Sequence, residues 1–249
     1  MKMLLKPVQW IYCIYALLLF IVLMLGVLPF VIVALFLGEI KGGNLIYKAC
    51  KTWGFCWYFS IGIKQENIYE APHDSSRQYI FVANHISYID IPPAFMSFRQ
   101  PMRILGKYEM SRVPLFGFIY KNAAVLVDRS SPSKRAKSVR ELKRFLKEKI
   151  SIFIFPEGTF NETGKPLKDF YDGAFRIAIE TETPIKPVLF IDTVDRLHYR
   201  GLFTLTPGKC RSVFLLEVEV TGLSIEDLAF LKQKVYNIME AGLMEYRKY

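Results

Sequence analysis

Gln78-Tyr79-Ile80-Phe81-Val82-Ala83-Asn84-His85-Ile86-Ser87-Tyr88-Ile89-Asp90-Ile91-Pro92-Pro93 is the stretch from which the fold can be read. Gln78–Ala83 is a short apolar run of the kind that forms a strand buried on both faces. Pro92 and Pro93 suit the first turn of a helix, where a missing N–H costs nothing, and Asp90 stands where it could cap that helix. Strand, polar loop and helix in this order place Asn84–Asp90 at a strand's carboxyl end. Open α/β sheets bind their ligands there.

The same texture repeats outward. Met102–Leu105, Ala124–Val127, Ile150–Phe155, Ile185–Phe190 and Ser212–Val220 read as further strands, and Ile91–Phe98, Pro132–Lys149 and Gly173–Thr181 as helices. Such alternation predicts an α/β fold with a mostly parallel central sheet flanked by helices. Leu202–Arg211 contains Pro207-Gly208 and reads as a hairpin-like return. Ser224, with Asp227 three residues on, opens a C-terminal helix to about Leu243.

Ahead of the α/β region, Pro7 to Gly38 carries no charged side chain. That exceeds the ~20 apolar residues needed to cross a bilayer. A cleavable signal peptide has an apolar core of only about 7–15 residues, ending at a small-residue cleavage site. This run is longer, and no such site follows it. Gly26 and Pro29 predict a kink or break, leaving either a tilted spanning helix or a bent, hairpin-like anchor dipping into one leaflet. Asn44–Ile63 mixes Lys48 and Lys51 with Trp53, Phe55, Trp57, Tyr58 and Phe59. It reads as an amphipathic helix suited to the head-group interface, or as an ordinary amphipathic core helix. The expected organisation is therefore a membrane anchor over 1–64 and an α/β domain over 65–249.

Hydrophobic residues make up 52% and aromatics 15%, which again points to a membrane contact. The net charge of +10 attracts polyanions: lipid head groups, nucleic acid or an acidic carrier protein. Lys134–Lys149 concentrates it, as a solvated helix face or as a surface for anionic lipid or an acidic acyl donor. Nucleic acid leaves the apolar anchor unexplained. Cys13, Cys50, Cys56 and Cys210 form no CxxC pair and no zinc-like spacing, and read as reduced thiols. No GxSxG occurs, which excludes a serine hydrolase of the nucleophile-elbow type. Gly158…Gly164-Lys165 has one residue too many between its glycines for a P-loop, and Pro166 replaces the Ser/Thr.

His85 and Asp90 would point apart on one regular helix but can meet across a turn. A carboxylate that accepts from one imidazole nitrogen fixes the tautomer and leaves the other nitrogen free as a base. Taken alone, such a pair is read as a satisfied structural histidine before a catalytic one.

Further blocks narrow the reading. Asn84–Asp90 resembles the NHxxxxD signature of the glycerolipid acyltransferase family, whose best-known activity is 1-acylglycerol-3-phosphate acylation. Val127-Asp128-Arg129, Phe155-Pro156-Glu157-Gly158-Thr159 and Pro184-Ile185-Lys186-Pro187-Val188 resemble its later blocks, in the same order, between about residues 78 and 190. Gly106-Lys107-Tyr108-Glu109-Met110, with Pro114 and Gly117, is similar to its connecting stretch.

The resemblance implies acyl transfer from a thioester, acyl-CoA or acyl-carrier protein as co-substrate, to the sn-2 hydroxyl of a lysophospholipid, with no metal and no other cofactor. It implies His85 as general base, oriented by Asp90. Arg129 and Lys107 would hold the acceptor phosphate, Glu157 would accept from glycerol hydroxyls, and the Gly158 and Thr159 amides would face the same site. The bilayer is an implied partner, with the active domain on the cytoplasmic face. One departure stands out: Phe160 and Asn161 occupy the places where the family often has Arg and Ser. This leaves open a lysophospholipid acceptor with another head group. A catalytically idle lipid-binding protein on the same fold is the alternative of a different class.

Overall fold

The computed structural model describes residues 2–128 and 130–247. Seven strands, β1 (Ile63–Tyr69), β2 (Ile80–Ala83), β3 (Met102–Lys107), β4 (Ala124–Val127), β5 (Ser151–Ile154), β6 (Ile185–Phe190) and β7 (Gly208–Phe214), form one sheet in the order β1-β7-β6-β2-β5-β3-β4. Every pairing from β6 through β2, β5 and β3 to β4 is parallel, with Phe81 opposite both Phe153 and Lys186. The central strands β2, β5 and β6 are buried along their whole length. A strand covered on both faces has no reason to alternate, so its sequence reads as an unbroken apolar run.

The helices are α1 (Lys2–Leu35), α2 (Glu39–Ser60), α3 (Ile91–Met96), α4 (Phe116–Ala123), α5 (Pro132–Lys147), α6 (Gly173–Thr181), α7 (Thr193–Arg196) and α8 (Leu228–Arg247). Two compact, interleaved units result. One comprises the chain up to Ile68 with Ile86–Phe98 and Phe190–Ser212; the other comprises Tyr69–His85, Arg99–Leu189 and the chain from Val213 on. The division expected at 64/65 thus falls inside β1. The chain leaves and re-enters each unit, so no single cut separates them.

In the first unit α1 and α2 form an antiparallel hairpin. Trp57 Nε1 donates to the Ala16 carbonyl (2.8 Å), Trp53 Nε1 to the Phe20 carbonyl (3.2 Å) and Tyr12 Oη to the Ile61 carbonyl (2.6 Å). At the bend Gly38 adopts φ +74°. A Cβ at Gly42 would come 2.2 Å from the Ala34 carbonyl oxygen, so only glycine lets the helices approach here. The break expected near Gly26 and Pro29 does not occur. Helix α1 continues through both residues and the reversal falls at 36–38 instead.

In the second unit α5 packs on β4, β5 and α6, while α6 packs on β2 and α8. Ser131 caps α5 and Pro132 opens it, with Leu142, Phe145 and Leu146 on its buried face. Ser224 and Asp227 form the expected capping box ahead of α8.

Three readings are corrected. Ile63 begins a strand rather than ending a helix, because α2 stops at Ser60 and Gly62 turns the chain at φ +68°. Leu202–Arg211 is not a hairpin: Leu202–Thr204 is a single 3-10 turn, and Gly208 already starts β7. The strand expected over Ser212–Val220 ends at Phe214, and Val218 makes only an isolated antiparallel bridge to Ile185.

Candidate active site

His85 follows directly after β2 and Asn84, in the second unit, and is half-buried. The segment 155–161 encloses it. The His85 N–H donates to Glu157 Oε1 (2.8 Å), and the His85 carbonyl accepts from the Asn161 N–H (2.7 Å). Phe155 stacks on the imidazole with ring centroids 4.0 Å apart and planes 14° apart, while Phe160 meets it edge-on at 4.4 Å. Backbone and ring are therefore both held, as a side chain that moves a proton requires.

Glu157 is fully buried. Its second oxygen accepts from the Lys168 N–H (2.9 Å), and Lys168 Nζ donates to Thr159 Oγ1 (2.8 Å). Both Glu157 oxygens thus accept from backbone amides, a positioning role that the sequence did not show beside the expected one. Gly158 is likewise engaged within the turn. Its N–H closes a turn by donating to the Phe155 carbonyl (3.0 Å), and its φ of +70° is the reason glycine stands there. Thr159 is half-buried and joined to Lys168. Lys168 is a member of this network that no sequence motif singled out, while Phe155 and Asn161 stand in or beside the quoted block but were given no role there.

Asp90 belongs to the first unit and is also fully buried. Its Oδ2 accepts from the Ile86 N–H (2.7 Å) and the Ser87 N–H (2.8 Å). With Ser87 capping the Tyr88–Asp90 3-10 turn, this is a capping box that folds the chain sharply from the residue after His85. Ser87 Oγ donates to the Leu197 carbonyl (2.6 Å) and Tyr58 Oη to the Ile89 carbonyl (2.7 Å), which pins the turn.

Lys107 ends β3 and is exposed. Behind it, Tyr120 Oη lies where a Cβ at Gly106 would fall, at 2.1 Å. Burial pushes the Tyr120 phenol up to about 12, against a hydrogen bond to the Lys107 backbone that works to lower it. Arg129 lies outside the described residues. Beside it, hydrogen bonds from Lys134 and then Ser130 hold the half-buried Asp128 carboxyl well below the usual range, and Asp128 follows β4. Among the described residues no group of three or more His, Cys, Asp or Glu could hold a metal ion. A separate open cleft, lined by Tyr69, His73 and Arg99 among others, lies at the amino ends of β2 and β3, away from His85.

The site is thus a backbone-held histidine directly after a central strand of a parallel α/β sheet. The chain belongs to the Acyltransferase family, whose model matches residues 62–191. It is 29% identical over 190 residues to the 1-acyl-sn-glycerol-3-phosphate acyltransferase of Escherichia coli (strain K12), covering 76% of each chain. It is 32% identical, with the same coverage, to the enzyme of that name from Salmonella typhimurium. Among solved structures, the 1-acyl-sn-glycerophosphate (LPA) acyltransferase PlsC from Thermotoga maritima superimposes with a TM-score of 0.71 at 25% identity, over 98% of this chain and 97% of that one.

Proposed function

We propose that the chain transfers a fatty acyl group from a thioester to the free sn-2 hydroxyl of 1-acylglycerol-3-phosphate, producing phosphatidic acid. The observation that carries this reading is His85, half-buried and locked through both its amide and its carbonyl at the carboxyl end of β2. A ring nitrogen of His85 takes the proton of the hydroxyl as its oxygen attacks the thioester carbonyl carbon. The tetrahedral oxyanion collapses, the C–S bond breaks, and the thiolate leaves with the proton returned by the imidazolium. A base so placed contributes about 10²–10⁴-fold. Asp90, five positions on in the same motif, is the carboxylate that sets the tautomer. Lys107 and Arg129 are positioned by sequence to meet the acceptor phosphate, and Glu157 acts by positioning His85.

The acceptor is a lipid, and the apolar surface of the first unit supports a site at the membrane. Across the most apolar stretch of α1 only 22% of residues are buried. Phe55 and Phe59 of α2 are exposed, as are Leu202 and Phe203, with Phe203 against Trp10. Such a surface belongs in lipid. A soluble thioester donor, acyl-CoA or acyl-carrier protein, and free cysteines favour a catalytic side on the cytosolic face.

Phe160 favours a second reading, a lysophospholipid bearing another head group, because an aromatic ring replaces a phosphate-binding arginine. An acceptor panel with labelled acyl-CoA separates the two. Lysophosphatidic acid is expected to outperform lysophosphatidylcholine, lysophosphatidylethanolamine and glycerol-3-phosphate in kcat/KM. Preference for either phosphodiester lipid would overturn the first reading.

A further inference from the structure

Lys168 is a cation that two hydrogen bonds tie to the histidine's enclosure, and no motif accounts for it. It precedes α6 in the second unit and is half-buried. Its N–H donates to Glu157 Oε2, the same carboxylate whose other oxygen holds the His85 N–H. Its ammonium donates to Thr159 Oγ1, one residue from the Phe160 ring that touches the imidazole. Two links therefore fix where this charge sits relative to His85. Among the described residues Lys168 forms no ion pair, whereas Lys134, Lys143, Lys186, Lys209 and Lys232 each pair with a carboxylate.

A lysine ammonium has three donors, and the Thr159 hydroxyl uses one. Holding a half-buried, uncompensated positive charge costs desolvation, which an anionic ligand would return. The segment 155–161 that encloses His85 contributes no cation of its own, since its only charged residue is Glu157. An acceptor presenting a hydroxyl to His85 carries its phosphate only a few bonds away.

We propose that Lys168 binds the phosphate of the acceptor, with Thr159 Oγ1 holding the ammonium in place, so that this chain places on Lys168 the charge that Phe160 does not supply. The inference rests on the reading of the substrate as a phosphorylated lysolipid. It names a binding residue, not a catalytic one: a compact ammonium acting as a point charge rather than a planar fork.

The test compares wild type, Lys168→Met and Lys168→Arg as full-length protein in lipid vesicles, with 1-acylglycerol-3-phosphate and with uncharged 1-acylglycerol, and measures inhibition by inorganic phosphate. Loss of one charged hydrogen bond to phosphate should raise KM for the phosphorylated acceptor about tenfold to a hundredfold in Lys168→Met. Its kcat should stay within about threefold of wild type, as for loss of an interaction made equally in ground and transition states. KM for 1-acylglycerol should rise far less than KM for the phosphorylated acceptor, phosphate inhibition should weaken in parallel, and Lys168→Arg should recover most of the KM. A lower kcat at constant KM, or an equal rise in KM for both acceptors, would mean that Lys168 merely braces the loop, and the proposal falls. If wild type instead prefers a phosphodiester lysolipid, the acceptor assigned above is wrong. The same KM comparison on that lipid then decides for or against Lys168.

Discussion

Two buried carboxylates hold consecutive stretches of the same backbone, and they differ in how far they come to do it. Asp90 binds the N–H groups of Ile86 and Ser87 from four and three residues away. Glu157 binds the N–H of His85 from 72 residues away. Both are fully buried and both accept from two amides. The peptide link entering His85 is thus held by Glu157, and the link leaving it by Asp90. Asp90 shapes a local turn in the first unit. Glu157 ties the end of β2 to the turn after β5 in the second. Equal burial therefore does not mean an equal role. A local carboxylate can serve chemistry as well as the turn, whereas a distant one mainly fixes position.

Substitutions can break or sharpen this contrast. The largest effect is expected for Asp90→Asn. If Asp90 sets the tautomer of His85 as proposed, loss of its negative charge should lower kcat about 10²-fold, beyond what thermal unfolding of the same variant explains. If stability falls while kcat of the folded fraction holds, Asp90 is a turn residue only and the contrast disappears. Glu157→Gln keeps one acceptor oxygen and turns an NH₂ group toward the other amide. It should cost about 1–3 kcal/mol in denaturant unfolding. Its kcat should fall about tenfold, with KM for the acceptor little changed, as expected of a residue that positions the base. A selective rise in acceptor KM would instead restore Glu157 to the substrate.

A smaller effect is expected for Phe160→Ala. One aromatic contact to the imidazole is worth about 0.5–1.5 kcal/mol, so kcat should fall roughly two- to tenfold. Steady-state kinetics at saturating acceptor reads this directly, and an unchanged kcat would mean that Phe160 does not support the ring.

The smallest concerns a carboxylate that neither holds the base nor lies near it. Glu217 pairs with the fully buried Lys186 at 2.6 Å. Burial works to raise its pKa, yet the Lys186 hydrogen bond and charge hold it below the ordinary glutamate value. Its stabilisation is therefore present above the unfolded pKa of about 4.3 and is lost as pH falls through the lower, folded value. Wild type should lose stability over that acid window. Lys186→Met should show a shallower slope there, and equal slopes in both proteins would deny the pair its role.

The same contrast between near and far governs what was legible in the sequence. The turn at Asp90 is local, and its motif stands in one run of residues. The apolar strands β2, β5 and β6 were readable because full burial leaves no alternation to confuse. Strand β1 was not, since Lys64, Gln65, Glu66 and Asn67 make it polar and it lies at the sheet's edge. Helix α4 has eight residues, too few for a periodic signal. At the site, His85 and the 155–159 block could be found by pattern, but which atoms bond could not. Glu157 looks like a substrate ligand in sequence because carboxylates in motifs often are. Only the fold brings the His85 and Lys168 amides to its two oxygens. Lys168 gave no signal beyond being one lysine in a basic chain.

The acyl transfer proposed for this chain turns on His85 moving the hydroxyl proton. The direct measurement is turnover of lysophosphatidic acid and acyl-CoA by His85→Ala in lipid vesicles, on protein shown to be folded by its unfolding transition. Turnover is expected to fall about 10²–10⁴-fold with the transition nearly in place. Near-normal turnover in that variant would contradict the assignment of the base.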